Sequence, residues 1–301
     1  MSLSELPLFE LVHVPDLGAL FQLVADRSGN GDETVLLAGG TDWIVERHME
    51  SVGATDGKRP LVVDISRLGA LRGISVDGDV ARIGAATTYL EIRRHSELRL
   101  RAPLLDRMAR DVGAVQIQAR GTLGGNLATA SPAADGVAAL AALDGIVVLG
   151  SVRGERGVPL RDFYTGYKKT VRAADEVIVR VDFVLPRPGA VTRWRKVGTR
   201  LAQSISKVAL AAVAEVDEGR VTRLGLGMAS VAPTTEHLPT VRGLALGASL
   251  ASLTDALLDQ ATLADVAPID DIRSTAAYRR HVACALVRGF FDELRDATRN
   301  G

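Results

Sequence analysis

Apolar positions alternate between strand spacing and helix spacing through the first 190 residues or so. Asp16 precedes an apolar pattern of helical period and is a suitable N-cap, and residues 34–38 (TVLLA) are typical of a buried strand. Residues 53–59 are expected to be a surface loop, residues 154–160 a turn and residues 163–170 a short segment. The pattern predicts strands at residues 9–14, 34–38, 60–65, 71–76, 80–85, 146–150 and 176–185, and helices at residues 16–27, 43–49, 88–95, 98–112 and 136–143.

The order of elements changes after residues 186–191, where two prolines and a glycine interrupt the pattern. Strands followed by helices are typical of an α+β domain, and a chain of 301 residues is long enough for about two domains. This region is predicted to contain extended segments at residues 194–197, 208–216 and 221–228, and helices at residues 252–265 and 274–297.

Two glycine-rich stretches stand out from this pattern: residues 39–42 (GGTD) and residues 121–135 (GTLGGNLATASPAAD). Glycine lets the backbone approach a ligand closely, and unbonded N–H groups in such turns bind anions. The pair therefore suits a long diphosphate cofactor that is held from two sides. Each stretch by itself is equally compatible with a purely structural turn.

Polar side chains in these stretches fit the same interpretation. The hydroxyls of Thr41, Thr122 and Ser131 would meet the diphosphate, and Asn126 and Asp135 could bond to ribityl or ribose hydroxyls. The stretches match neither the Walker pattern nor GxGxxG between a strand and a helix.

Composition narrows the class of partner. Lys plus Arg and Asp plus Glu both number 36, and this zero net charge argues against nucleic acid. The one cysteine, Cys284, cannot hold an iron–sulfur cluster by itself and is expected to be an inert core thiol, and no metal site is predicted. With neither a secretory signal nor a membrane span in the sequence, a cytoplasmic location is expected.

Five motifs in order closely resemble the FAD-binding subunit of the molybdenum hydroxylases. That family includes xanthine dehydrogenase, aldehyde oxidoreductases, carbon monoxide dehydrogenase and 4-hydroxybenzoyl-CoA reductase. The resemblance covers nearly the whole chain. The motifs are LLAGGTD (36–42), GTLGGNLATASPAAD (121–135), FYTGYKKT (163–170), KVGTRLAQSISKV (196–208) and DDIRSTAAYRRHV (270–282).

The resemblance implies an α+β fold. A PCMH-type FAD-binding region at residues 1–188, in two subdomains that divide near residue 58, would precede a C-terminal α+β domain at residues 189–301 like that of the carbon monoxide dehydrogenase flavoproteins. It also implies non-covalent FAD, which receives electrons from iron–sulfur (2Fe–2S) clusters on a small partner subunit. A large partner subunit would carry the molybdenum cofactor, and the assembly would be a dimer of heterotrimers. NAD is the expected acceptor, because GYKKT is nearer to the xanthine dehydrogenase pattern.

Roles for individual residues follow from the resemblance. Lys196 matches a lysine beside the flavin ring, where a cation would stabilise the anionic reduced flavin. Tyr167 matches an aromatic residue over the face where a nicotinamide docks, and Ile178 matches an apolar residue that packs by the isoalloxazine. Without the resemblance, Lys196 would be interpreted as a solvated strand residue and Tyr167 as a half-buried packing residue. The residues that match the two FAD loops are Leu37, Ala38, Gly39, Gly40, Thr41, Asp42 and Trp43 in the first, and Thr122, Gly124, Gly125, Asn126, Thr129 and Asp135 in the second.

Two departures from the family pattern and two alternatives accompany this hypothesis. Gly39-Gly40 stands where the vertebrate-type enzymes have Gly-Asn, and Val112 stands near the position of a phenylalanine close to the flavin in the family. Cys284 alone also cannot bind the extra cluster of the 4-hydroxybenzoyl-CoA reductases. One alternative is a stand-alone FAD reductase of the UDP-sugar enolpyruvyl reductase type, for which no clear acid–base set is found. The other is a non-catalytic scaffold whose glycine-rich stretches are structural.

Overall fold

The structure is a computed structural model that describes residues 9–29, 33–50, 59–200 and 203–300. The predicted loop at residues 53–59 lies almost wholly outside the described residues. The described strands are β1 (Glu10–His13), β2 (Thr34–Leu37), β3 (Leu61–Asp64), β4 (Ile74–Asp77), β5 (Val80–Gly84), β6 (Ile146–Ser151), β7 (Gly154–Pro159), β8 (Tyr164–Gly166), β9 (Lys169–Thr170), β10 (Val177–Val184), β11 (Val191–Val197), β12 (Val208–Asp217) and β13 (Arg220–Ala229). The described helices are α1 (Leu17–Ser28), α2 (Trp43–Glu50), α3 (Tyr89–Arg94), α4 (Ser96–Arg101), α5 (Pro103–Arg110), α6 (Val115–Arg120), α7 (Leu123–Thr129), α8 (Asp135–Ala142), α9 (Pro239–Ala245), α10 (Asp255–Asp265) and α11 (Ala276–Asn300).

The first sheet is parallel, with β3 between β1 and β2. Helix α1 connects β1 to β2, and Asp16 caps it as predicted, because its carboxylate accepts the Ala19 N–H at 2.8 Å. Leu20 and Val24 of α1 are buried in the same core cluster as the strand residues of β3. In parallel strands the carboxyl ends share one edge of the sheet, so residues 39–42 leave β2 at that edge.

The second sheet is antiparallel in the order β4-β5-β10-β6-β7. The prediction of a turn at residues 154–160 was wrong, because most of this segment is β7, which pairs with β6. Only Val158 of that strand is buried. This polar edge strand contains two glycines and a terminal proline and has almost no apolar alternation. It can therefore be recognised as a strand only by its pairing with β6 in the structure.

Helices α3 to α8 are inserted between β5 and β6. The single helix predicted at residues 98–112 is two helices, because Pro103 has no N–H to continue the first one and instead begins α5. The glycine-rich stretch at residues 121–135 is not a simple turn, because about half of it is α7. Helix α7 runs through Gly124 and Gly125, and a Cβ added at Gly124 would lie 2.5 Å from the Cβ of Ala85.

The C-terminal sheet has the order β11-β12-β13, and helices α9 to α11 follow it. Helix α9 was not predicted from the sequence. A Cβ added at Gly225 would lie 1.9 Å from the carbonyl oxygen of Ala142, and one at Gly227 would lie 2.0 Å from that of Ala138. These two glycines therefore let α8 pack directly on β13. None of the described helices is long and apolar enough to cross a membrane.

Candidate functional site

Two adjoining clefts lie beside the glycine-rich stretches. The first has a volume of about 520 Å³ and is mostly apolar, and the second has a volume of about 340 Å³. Both are lined by Leu36, Ala38, Gly125 and Ala128. The second cleft is also lined by the following predicted residues: Leu37, Gly39, Gly40, Thr41, Asp42, Trp43, Thr122, Asn126 and Thr129.

The first stretch offers unbonded backbone donors to the second cleft. Among the described residues, the N–H groups of Gly39, Gly40 and Thr41 donate to no other group. Gly40 has φ of +73°, a left-handed conformation that glycine adopts without steric cost. N–H groups in such a turn form a concavity suited to an anion.

The two stretches touch each other directly. A Cβ at Gly39 would lie 2.1 Å from the carbonyl oxygen of Arg120, so only glycine permits this approach. The Thr129 hydroxyl lies 2.8 Å from Asp42 Oδ2 and 3.0 Å from the Gly125 carbonyl oxygen, so its single proton links α7 to the first stretch. The paired arrangement expected from the sequence is thus present in the tertiary structure.

The backbone N–H groups of both glycines at the start of α7 are already used within the protein. The Gly124 N–H donates to the Ala85 carbonyl at 2.8 Å, and the Gly125 N–H donates to the Thr122 hydroxyl at 3.0 Å. Thr122 is thereby the N-cap of α7, and it is buried. The second stretch therefore supplies chiefly shape and side chains, and the first stretch supplies free N–H groups.

The two polar residues expected at the cofactor's hydroxyls have protein partners. Asn126 Oδ1 accepts the Val137 N–H at 3.1 Å, so the Asn126 side chain retains its N–H₂ donors for the second cleft, which it lines. Asp135 Oδ2 lies 2.5 Å from Lys196 Nζ, and its Oδ1 accepts the Ser206 hydroxyl at 2.9 Å. Asp135 lines neither cleft.

Lys196 is a buried ion-pair residue and not a solvated strand residue. The side chains of Lys196 and Asp135 are each 9% exposed, and Lys196 Nζ also donates to the Asp111 carbonyl at 3.0 Å. Burial raises the pKa of the Asp135 carboxyl, and the Lys196 charge opposes that rise. Val112, which follows Asp111, lines the second cleft, so the lysine adjoins that end of the site.

Ile178 and Tyr167 do not line the second cleft. Ile178 lines the first cleft and not the second, so the structure does not bring it together with Lys196 at one ring, as the sequence led us to expect. Tyr167 lines neither cleft and is 61% exposed, more than the half-buried packing residue of the simpler interpretation. Tyr167 lies in the hairpin of β8 and β9, which reaches the rim of the second cleft. Lys168 Nζ of this hairpin lies 3.3 Å from Oε1 of Glu46, which lines that cleft.

Sequence reasoning missed Tyr89, which lines the second cleft. Its hydroxyl and the indole N–H of Trp43 are both buried and have no hydrogen-bond partner among the described residues. Native proteins rarely leave such groups unpaired, so a ligand with acceptor oxygens is the natural partner. The diphosphate and ribityl oxygens of FAD fit this donor set, and no cluster of three metal-ligating side chains occurs within the described ranges.

Both parts of the chain match domains of known flavoproteins. Residues 8–188 match the FAD binding domain in molybdopterin dehydrogenase, and residues 193–294 match the CO dehydrogenase flavoprotein C-terminal domain. The xanthine dehydrogenase FAD-binding subunit of Escherichia coli O157:H7 is 31% identical over 280 residues, 92% of each chain. The nicotinate dehydrogenase FAD-subunit of Eubacterium barkeri is 35% identical over 189 residues, 62% of each chain.

Solved structures extend the likeness to the fold. A structure of carbon monoxide dehydrogenase from Hydrogenophaga pseudoflava aligns with a TM-score of 0.84 and 25% identity, over 93% of this chain and 95% of that one. The α+β fold class expected from the sequence, with a C-terminal domain of the carbon monoxide dehydrogenase flavoprotein type, is therefore confirmed.

Proposed function

The chain belongs to the family of FAD-binding subunits of molybdenum hydroxylases, and on this premise we propose that it holds FAD across the two clefts, with the diphosphate at residues 39–41. One observation carries the proposal. Unbonded N–H groups of the first stretch and the unpartnered polar groups of Trp43 and Tyr89 line the same cleft. The Thr129–Asp42 hydrogen bond would hold the two stretches at the spacing that the cofactor spans.

The ends of the cofactor are assigned by the remaining side chains. Lys196 adjoins the second cleft, so we place the flavin ring at that end and Asp135 as the group that fixes the lysine. The first cleft, which Ile178 lines with other apolar residues, would then take the adenosine end, a revision of the expected contact between Ile178 and the isoalloxazine. Tyr167, on a hairpin at the rim, would cover the face open to an acceptor.

When bound, FAD supplies the redox chemistry, taking electrons from iron–sulfur clusters of a small partner subunit and passing them to an acceptor, which we propose is NAD. This chain's residues supply binding and charge placement. A buried, paired Lys196 offers a positive charge without a mobile side chain, as electrostatic stabilisation of an anionic ring requires. The molybdenum cofactor would lie on a large partner subunit.

Several further assignments belong to the same proposal. We propose that the chain divides into residues 1–188 and 189–301, with a further division of the first part near residue 58. We also propose that the complex is a dimer of heterotrimers and has xanthine-dehydrogenase-like activity. The cytoplasmic location stays a prediction from the sequence.

The decisive experiment uses the purified full chain and FAD. Reconstitution should give a flavin absorption spectrum at one FAD per chain. Absence of bound flavin after reconstitution would overturn the proposal and favour the structural scaffold. Purification from the native source should recover two further subunits with molybdenum and iron. Recovery of the flavoprotein alone would favour the stand-alone reductase.

The acceptor is tested on the reduced complex without oxygen. If NAD is the acceptor, adding it should restore the absorption of oxidised flavin within the mixing time of the experiment. A complex that is reoxidised by a quinone or a ferredoxin but not by NAD would contradict this part of the proposal.

A further inference from the structure

Tyr89 carries a buried hydroxyl that no described residue satisfies. The residue is 2% exposed, and its Oη has no hydrogen-bond partner among the described residues. It begins α3 directly after Thr88, whose side chain forms a capping box with Glu91. Its backbone is therefore fixed by local bonds, and its side chain extends into the region between the two glycine-rich stretches.

The Tyr89 ring is confined on two sides. A Cβ added at Gly121 would lie 3.5 Å from Cδ2 of the ring, and one added at Gly136 would lie 3.2 Å from Oη. The same Cβ at Gly136 would lie 2.5 Å from Asn126 Oδ1, so the hydroxyl is next to the amide that lines the second cleft. With backbone on both sides, the side chain has little freedom to find another partner.

The charges around Tyr89 keep its hydroxyl a hydrogen-bond donor. Burial holds the pKa of Tyr89 well above its usual value, and the carboxylates of Asp135 and Asp42 raise it further. The proton therefore stays on the oxygen at any pH at which the protein functions. A buried, unpaired donor beside a cleft calls for an acceptor from a ligand.

We propose that Tyr89 is a cofactor-binding residue whose hydroxyl donates a hydrogen bond to an acceptor oxygen in the diphosphate–ribityl part of FAD. This inference rests on the proposed function and adds a contact that none of the five sequence motifs contains. The central part of the cofactor is the relevant one, because Tyr89 lies where residues 121–126 and the start of α8 converge. Trp43 Nε1 is a second donor in the same cleft that has no partner within the described ranges.

Tyr164 offers a matched control within the same domain. It is partly buried, its hydroxyl already donates to the Leu127 carbonyl at 3.1 Å, and it lines neither cleft. Both tyrosines can lose one oxygen atom by substitution with phenylalanine. The two variants remove the same atom, which has a partner among the described residues in Tyr164 and none there in Tyr89.

The test compares Tyr89→Phe and Tyr164→Phe in the full chain, without and with FAD. Flavin fluorescence gives the dissociation constant, and thermal unfolding of the apo chain gives the structural effect. Tyr89→Phe should weaken FAD binding by roughly 5- to 100-fold, the effect of losing one hydrogen bond to a neutral or a charged acceptor. Its apo chain should be as stable as the parent or more stable, because an unpaired buried hydroxyl is removed.

Tyr164→Phe should show the opposite pattern, with a lower apo Tm and unchanged FAD affinity. The inference is overturned if Tyr89→Phe binds FAD within about twofold of the parent chain. It is also overturned if its apo Tm falls as that of Tyr164→Phe does, since the hydroxyl would then have a structural partner. Failure of the parent chain to bind FAD overturns the proposed function, and this inference with it.

Discussion

Lys196 Nζ lies 2.5 Å from Asp135 Oδ2, so two residues that the sequence assigns to different parts of the cofactor form an ion pair with each other. Asp135 begins α8 and Lys196 lies near the end of β11, so the pair joins the two parts of the chain that match separate family models. A buried charge is stable only with a partner, which makes this pair structural as well as functional.

Removal of the lysine charge should destabilise the chain strongly. In Lys196→Met, Asp135 stays buried without its cation, and we expect a loss of about 3–5 kcal/mol in the free energy of unfolding, measured by urea denaturation of the apo chain. The double variant Asp135→Asn/Lys196→Met should recover part of that loss. Arg110→Met is the control, because it removes an exposed partner of Asp106 and should cost less than about 1 kcal/mol. Strictly additive single-variant effects would contradict a direct pair.

Loss of the Thr129 hydroxyl should weaken cofactor binding. Thr129→Val removes the proton that links α7 to Asp42, so the two stretches lose this hydrogen bond and keep only their close packing at Gly39. We expect a decrease in FAD affinity of roughly 3- to 10-fold in fluorescence titration. Thr262→Val is the control, because the Thr262 hydroxyl, like that of Thr129, donates to the carbonyl four residues earlier in its helix, and Thr262 lines neither cleft. Equal FAD affinities of the two variants would show that the link has no role in binding.

A methyl group at Gly39 should push the two stretches apart. Its Cβ would lie 2.1 Å from the Arg120 carbonyl oxygen, so we expect Gly39→Ala to lose at least about tenfold in FAD affinity and about 1–3 kcal/mol in stability. Gly243→Ala is the control. Apart from its chain neighbours and the backbone of α9 itself, no atom of the described residues lies within 4 Å of its added Cβ, so that variant should be stabilised by about 0.5–1 kcal/mol. Calorimetric titration with FAD and urea unfolding measure both quantities, and a normal affinity of Gly39→Ala would refute the close approach.

His237 should make the chain less stable in mild acid. Burial lowers its pKa to about 4, while Asp144 and Asp162 oppose this shift and Arg242 and Arg161 favour it. Below about pH 6.5 His237 binds a proton in the unfolded chain but stays neutral in the folded chain. The free energy of unfolding therefore decreases as the pH falls towards 4, by up to about 3 kcal/mol. Above pH 6.5 the group contributes no pH dependence.

The measurement is urea unfolding of the parent chain and of His237→Gln between pH 7.5 and 4.5. The difference between the two stabilities should change across this range, because glutamine does not titrate. His281→Gln, which removes an exposed histidine of α11, is the control substitution. A parallel profile for His237→Gln would mean that His237 titrates normally in the folded state.

Much of the architecture could be read from local patterns. Apolar periodicity and the Asp16 cap located α1, and apolar runs located β2, β3, β6 and β10 to within a few residues. These signals are local, because a helix or strand that buries one face must repeat apolar residues at its own period. Strand β7 and helix α9 were missed, since β7 is an exposed edge and α9 is short.

The sequence by itself also predicted that the two glycine-rich stretches act as a pair, and the ordered motifs assigned the family correctly. Only the tertiary structure decided which groups remain free for a ligand. It showed that the backbone donors of Gly124 and Gly125 are used internally, that Lys196 is paired with Asp135, and that the Tyr89 hydroxyl has no partner in the described part of the chain. Hydrogen-bond satisfaction depends on contacts between residues far apart in the chain, and no local periodicity encodes those contacts.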